Sequence, residues 1–216
     1  MTSRLAPIVF RLVFAALAIA AMAVQLFVVH IPMGFNVANF FSYFTNLSNI
    51  MISVVFIITA VRLVSRRSAP TQAETAVRGA AVVYIAFVGF VFNTLLRNAE
   101  LGALLPWVNV VLHFILPIVA VIDWLAWPPM NRLPFSVVFW WMIWPAVYSI
   151  FSIVRGAIDG VYPYFFYNPA AVGGYGGVAA LCAVLIVGFF IVGVAVWLVG
   201  NWRGGHLRKI STSAAT

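Results

Sequence analysis

Charged residues are scarce in this sequence, and their scarcity excludes most soluble folds. Of the 216 residues, 7% are charged and 65% are hydrophobic. A soluble domain carries about 25% charged residues, so a chain this apolar cannot cover its surface in water. The sequence therefore predicts an all-α polytopic membrane protein. No second, polar stretch is long enough to fold separately, and residues 1–216 are predicted to form a single domain.

Cysteine is nearly absent, and so are the common catalytic and metal-binding motifs. Cys182 is the single cysteine, which excludes an internal disulfide. The sequence contains no HExxH, no GxSxG and no Cys/His set with ligand spacing, so no metal site is predicted. A haem between two histidines would pair His113 with His30 or His206. The geometry is poor, because His206 lies in the tail and His30 at a helix end, and no cofactor is predicted.

Acidic residues are fewer than basic ones, 4 against 12, which leaves a net charge of +8. In a soluble protein this charge would suggest nucleic acid. Here the basic residues fall mostly in connections and tails, so topology and anionic membrane lipid explain them better, and no nucleic-acid partner is predicted. Only Arg97 and Arg155 fall on the side opposite the termini. The positive-inside rule therefore predicts a cell-membrane protein with both termini in the cytoplasm.

Six apolar runs are long enough to cross a bilayer as helices. The first resembles a cleavable signal, because Arg4 and Arg11 precede it and Ala21-Met22-Ala23 resembles a cleavage site. Its apolar run continues through Val29, so a retained helix is predicted. The six predicted transmembrane helices cover about residues 8–29, 40–62, 79–96, 106–127, 135–154 and 178–202.

The fourth run carries polar residues where the lipid would be. Ionisable groups in a membrane rarely face the acyl chains and usually point into a bundle or a cavity. Asn109 and His113 are four residues apart, so they share one face of the helix. Asp123 is predicted near the cytoplasmic end in a structural pair with Arg132 or Arg62, outside the chemistry.

Thr45 in the second run is predicted to lie at the depth of His113. Both helices would run from outside to inside, and each residue lies about 9–10 Å below the outer surface at a rise of about 1.5 Å per residue. Other polar residues cluster at the same level, which predicts a pocket in the outer leaflet. Those predicted to bind or orient a substrate are Asn46, Asn49, Asn93, Asn109, Arg155 and Tyr162.

A threonine and a histidine at one depth can act as nucleophile and base. The Thr45 hydroxyl is weakly nucleophilic and needs a neighbouring base, which neutral His113 supplies if the two are hydrogen-bonded. Each residue also has an ordinary structural explanation. A threonine in a membrane helix usually bonds its own i−4 carbonyl, and a lone histidine often bridges two helices. Hydrolase, transporter or binding protein for a small solute or lipid, and non-catalytic scaffold therefore all stay open.

Three motifs resemble a known family. They are Tyr43-Phe44-Thr45, Asn109 to His113 followed by Leu116-Pro117 and Asp123, and Val161-Tyr162-Pro163-Tyr164. With the order of apolar segments, they are similar to the androgen-induced-protein family, which includes the androgen-dependent TFPI-regulating protein and bacterial six-pass relatives.

The animal members of that family are membrane threonine hydrolases of fatty-acid esters of hydroxy fatty acids. The resemblance implies Thr45 as nucleophile and His113 as base, with a lipid ester as substrate. The predicted partners are membrane lipid and the lipid ester, and the oligomeric state, including a homo-oligomer, stays open. The polar run Asn46 to Asn49 departs from the more apolar animal sequences, which leaves the substrate open.

Overall fold

Six long helices make up most of the protein. The computed structural model describes residues 4–66, 69–97 and 103–213, with side chains described as far as His206. Within these residues there is no β-strand, and six helices are long and apolar enough to cross a membrane, which confirms the predicted all-α multipass membrane protein. These helices are α1 Leu5–His30, α2 Phe44–Val64, α3 Gln72–Leu96, α4 Pro106–Ala126, α5 Val137–Asp159 and α6 Tyr175–Ser213.

Several helix ends differ from the prediction. α3 begins at Gln72 and not at about residue 79, because Thr71 and Glu74 form a capping box. The Thr71 hydroxyl accepts from the Glu74 N–H at 3.2 Å, and the Glu74 carboxylate accepts from the Thr71 N–H at 2.7 Å. α2 begins at Phe44 and not at about residue 40, because a separate short helix, Val37–Phe41, precedes it.

α3 is the central helix and α6 the most peripheral. In the most apolar stretch of each, 72% of the α3 residues are buried, against 17% in α6. α3 packs against α2, α4, α5 and α6, and glycines allow the closest of these approaches. A Cβ at Gly89 would lie 2.8 Å from the Pro117 Cβ, so only glycine lets α3 and α4 meet there.

Three of the helices contain a wide π-helical turn: Gln25–His30 in α1, Phe92–Leu96 in α3 and Val111–Ile115 in α4. In such a turn the backbone N–H bonds to the carbonyl five residues earlier. In α4 the turn precedes Pro117, which has no N–H to offer to the carbonyl four residues before it. All three turns lie at the end of the bundle away from the chain termini, called the site end here. The opposite end is the termini end.

A buried carboxylate organises the termini end. Asp123, with no exposed surface, accepts from Arg11 Nε at 2.7 Å and from Arg78 Nη2 at 2.6 Å. The predicted pairing of Asp123 with Arg132 or Arg62 is therefore wrong, and Arg62 pairs with Glu74 instead. The three residues, called the Asp123 cluster, come from α1, α3 and α4 and join those helices by charge.

Tryptophans enclose the Asp123 cluster. The Arg78 guanidinium lies 5.0 Å from the ring centre of Trp124, and that of Arg11 lies 5.8 Å from the ring centre of Trp127. Such cation–π contacts add to the stability of a desolvated guanidinium. Trp124 also donates from Nε1 to the Val196 carbonyl at 2.9 Å, which ties α4 to α6. The termini end is thus closed by packed aromatic rings and paired charges.

Candidate active site

Two cavities meet at the site end of the bundle. The larger, about 540 Å³, is called the polar cavity, and the smaller, about 160 Å³, is called the apolar cavity. Both are lined by Thr45, Leu96, His113 and Tyr164, which form the shared wall. The structure therefore brings the predicted nucleophile and base, from α2 and α4, to one boundary between two hollows.

The polar cavity lies under the connections between helices. Its lining includes residues 103 and 104 before α4 and Pro163 and Phe165 of the 160–174 loop. Exposed Asn36 also lines it, so the cavity reaches the loop surface. The polar side chains in its lining, apart from the shared wall, are Gln25, His30, Asn36, Asn39, Tyr43 and Asn46.

The apolar cavity runs between α3, α5 and α6. Phe87 and Phe189 line it, with their rings 3.7 Å apart between centres. Ala146 and Ile186 also line it, and both are exposed on the outer surface of the bundle. This cavity therefore borders the surface that faces lipid, whereas the polar cavity borders the connecting loops.

Thr45 lies at the N-terminus of α2, where two tyrosine hydroxyls take the place of a capping side chain. The Phe44 N–H donates to the Tyr148 hydroxyl at 3.1 Å, and the Thr45 N–H donates to the Tyr164 hydroxyl at 3.2 Å. Thr45 Oγ1 is also 3.2 Å from the Tyr164 hydroxyl. The positive end of the helix dipole favours negative charge here, and therefore favours an alkoxide or oxyanion at Thr45.

His113 is held so that one nitrogen is free to act as a base. It lies in the π turn of α4, and its Nδ1 donates to the Asn109 carbonyl at 3.2 Å. The ring stacks on Phe92 of the α3 π turn at 4.1 Å between centres. With Nδ1 protonated, Nε2 carries the lone pair. Among the described residues Nε2 has no hydrogen-bond partner, and it is not sealed from the cavities by protein atoms.

Thr45 and His113 make no direct hydrogen bond to each other among the described contacts. Both are nevertheless buried, with 8% and 7% of their surface exposed, and both line the same two cavities. Catalytic hydrogen bonds are often long before substrate binds and tighten in the complex. The shared wall therefore places the hydroxyl and the imidazole on one cavity boundary without a direct hydrogen bond between them.

Two of the predicted asparagines hold the backbone around the site. Fully buried Asn49 donates from Nδ2 to the Thr45 carbonyl at 2.9 Å and to the Leu112 carbonyl at 3.4 Å, so it ties α2 to α4 beside Thr45 and His113. Asn46 donates to the Phe40 carbonyl at 2.7 Å. Asn46 also lines the polar cavity, whereas Asn49 lines neither.

Of the six residues predicted to bind or orient a substrate, five lie outside both cavity linings: Asn49, Asn93, Asn109, Arg155 and Tyr162. Asn93 is exposed and donates to the Gly89 carbonyl of its own helix. Arg155 is held by Asp159 at 2.9 Å and by Asn39. Tyr162 packs its ring against the backbone of Gly156. The structure thus does not bring Asn93, Arg155 and Tyr162 to the shared wall, because each side chain is engaged by other residues.

Tyr164 is a residue of the Val161–Tyr164 motif that the sequence does not single out as a site residue. It lies in the aromatic run from Tyr162 to Tyr167, and the sequence does not distinguish which of these rings faces the pocket. Proline and glycine leave this loop without the regular period that would show which ring points inward. In the structure Tyr164 contacts Thr45 directly.

The chemistry of the site is that of a hydroxyl, an imidazole and a phenol. Among the residues whose side chains are described, no three His, Cys, Asp or Glu lie together in a way that could hold a metal ion. The arrangement suits nucleophilic attack by Thr45 with His113 as base. Compared with protein-family models, curated proteins and solved structures, the chain gives no match.

Proposed function

We propose that this protein is an integral membrane hydrolase that cleaves a lipid ester of the fatty-acyl type, with Thr45 as nucleophile and His113 as base. The observation that carries the proposal is the shared wall, where both residues face a polar and an apolar cavity. An amphiphile with its acyl chain in the apolar cavity and its polar part in the polar cavity would present its ester bond at that wall. The resemblance to the androgen-induced-protein family implies the same two residues.

The first half of the reaction forms an acyl-enzyme. The Thr45 Oγ1 attacks the ester carbonyl carbon while its proton passes to His113 Nε2, and the carbonyl π electrons become an oxyanion. The C–O bond to the alcohol then breaks, and His113 gives the proton to the leaving alkoxide. The Asn109 carbonyl, 3.2 Å from Nδ1, stabilises the imidazolium that forms between these two steps.

The second half regenerates the hydroxyl. Water from the polar cavity attacks the acyl carbon, and His113 Nε2 takes one of its protons. The oxyanion collapses, the bond to Thr45 Oγ1 breaks, and His113 returns the proton to Oγ1. The products are an alcohol and a fatty acid, and no cofactor is needed for the balance.

The site end is proposed to face the outside of a cell membrane. The connections at the termini end hold most of the arginines, which the positive-inside rule assigns to the cytoplasm. A lipid would then reach the apolar cavity from the outer leaflet, past exposed Ile186 and Ala146. Leaving products would exit into the same leaflet or through the polar cavity.

The transporter alternative would need a polar path toward the opposite face. The linings of the two cavities do not include Asp123, Arg11 or Arg78. Those three groups are paired with one another and enclosed by tryptophans. The closed termini end therefore favours a hydrolase over a transporter.

Labelling by a fluorophosphonate and hydrolysis of a p-nitrophenyl decanoate ester test the proposal on the purified full chain. Thr45→Ala should abolish both, whereas Thr59→Ala in the same helix should change neither. Thr59 Oγ1 donates to the Val55 carbonyl at 2.7 Å, as an ordinary membrane threonine does. A Thr45→Ala protein that folds and is labelled like the unmutated chain would remove Thr45 as nucleophile.

A further inference from the structure

Tyr164 holds a position that the reaction described above does not yet use. Its hydroxyl lies 3.2 Å from both the Thr45 N–H and Thr45 Oγ1, and its ring lines both cavities. The ring is stacked on Phe166 at 5.0 Å between centres and meets Tyr43 edge-on at 5.7 Å. The phenol is therefore fixed beside the nucleophile by packing on two sides.

The hydrogen bonds around Tyr164 leave its single proton for the reacting atoms. A phenol offers one O–H donor and accepts through its oxygen. The Thr45 N–H donates to this oxygen, and Thr45 Oγ1 is the other partner of the phenol among the described contacts, with either hydroxyl able to be the donor. Once Oγ1 is esterified it becomes a poor acceptor, and the oxyanion is two bonds from Oγ1. The same proton can then turn to the oxyanion.

The other tyrosines near the site are not in this position. The Tyr148 hydroxyl accepts from the Phe44 N–H and donates to the Ser42 carbonyl at 2.7 Å, so its proton is committed to backbone. The Tyr167 hydroxyl is 2.8 Å from Ser149 Oγ. Among the described tyrosines that line the apolar cavity, Tyr164 is the one in contact with Thr45.

We infer that Tyr164 is the oxyanion donor of the proposed hydrolase, a third catalytic residue beside Thr45 and His113. The inference rests on the proposed function. A donor aimed at the place where negative charge develops stabilises the transition state more than the bound substrate. Burial raises the pKa of Tyr164 to about 12, so the phenol keeps its proton at neutral pH.

Tyr164→Phe in the purified full chain tests the inference with p-nitrophenyl decanoate as substrate. The expected result is a fall in kcat of about 10²–10³-fold, the usual loss for one oxyanion donor, with little change in KM. Tyr162→Phe is the matched control, since it lies two residues earlier outside both cavity linings, and it should keep full activity. Full activity in Tyr164→Phe would overturn the role of Tyr164 and leave the hydrolase standing.

A second variant separates donation from packing. 3,5-Difluorotyrosine at position 164 keeps the hydroxyl and nearly the shape but has a lower phenol pKa. If Tyr164 donates, the alkaline limb of the pH–kcat profile moves to lower pH in this variant. An unmoved profile in a folded protein would overturn the inference. If the unmutated chain hydrolyses no ester at all, both the proposed function and this inference are wrong.

Discussion

The two ends of the bundle treat buried polar groups in opposite ways. At the termini end, Asp123 has two guanidinium partners and no exposed surface. At the site end, His113 has one partner on Nδ1 and a free Nε2 beside open space. A buried carboxylate with both oxygens hydrogen-bonded holds helices together, whereas an unpaired lone pair at a cavity remains available for chemistry. The comparison shows that burial of an ionisable residue does not by itself indicate function.

The helical geometry also differs between the two ends, being irregular at the site end and regular at the termini end. The three π turns all lie at the site end, and each contributes to the lining of at least one cavity. At the termini end α3 begins with a regular capping box. A π turn is a rare, wider variant of the α-helical turn that is frequently found at functional sites. The irregular turns and the cavities therefore lie at one end of these helices, and the buried ion pairs lie at the other.

The largest expected effect separates chemistry from stability at the site end. His113→Gln removes the base but keeps a polar side chain, so the rate of ester hydrolysis should fall by about 10²–10⁴-fold. The thermal unfolding midpoint should change little, because the ring makes a single hydrogen bond of 3.2 Å among the described contacts. His206→Ala serves as the control. Hydrolysis that survives in His113→Gln would contradict the role of the base.

The converse is expected at the termini end. Asp123→Ala leaves Arg11 and Arg78 buried without their carboxylate, and such uncompensated charges cost about 3–5 kcal/mol of stability. The measurement is the unfolding midpoint in detergent, alongside hydrolysis per folded molecule, which should be retained. Asp159→Ala, which removes an exposed i,i+4 partner of Arg155, should be far milder. Equal effects of the two variants would mean that the Asp123 cluster is not a structural centre.

A smaller effect is expected where α2 and α4 are joined. Asn49→Leu keeps the number and branching of the side-chain heavy atoms but removes the bonds to the Thr45 and Leu112 carbonyls, at about 1 kcal/mol for each hydrogen bond. Because these bonds set the distance between the reacting residues, kcat should fall more than stability does. Asn93→Leu, at an exposed position, should alter neither quantity. Loss of stability without loss of kcat would limit Asn49 to a packing role.

The smallest expected effects come from two glycines of α3, one toward each end. Gly89→Ala would set a Cβ 2.8 Å from the Pro117 Cβ and 3.4 Å from the His113 carbonyl, and Gly79→Ala would crowd Trp141. Overpacking of this kind costs about 1–3 kcal/mol. Both variants should lower the unfolding midpoint, but only Gly89→Ala should also lower kcat. A matching loss of kcat in Gly79→Ala would show that the two ends are coupled.

The sequence was sufficient for the membrane spans and for bringing Thr45 and His113 to one level. Both results depend on long apolar runs and on helical rise, which are local properties. The early start of α3 is also predictable from the sequence, since Thr71 and Glu74 have the spacing of a capping box. The prediction is wrong at this end because a polar connection between two apolar runs is typical of a non-helical loop.

The remaining features depend on contacts between distant parts of the chain. Asp123 pairs with Arg11, 112 residues away, and no pattern in the fourth run selects that partner over Arg132. Tyr164 reaches Thr45 across 119 residues from a loop without regular period. The periodicity of apolar residues also does not predict the π turns, because the helices that contain them are apolar on most of their faces. Tertiary packing decides all three.

The π turn that carries His113 makes the direction of its side chain depend on the number of residues in α4. A π turn contains one residue more than the α-helical turn it replaces, and each residue in an α-helix rotates the chain by about 100°. Deleting Leu112 would restore regular winding and leave the rest of the span in place, but the imidazole would swing toward another neighbour. Deleting this one residue would therefore take the proposed base away from the cavity wall while the six-helix scaffold continues to assemble in the bilayer.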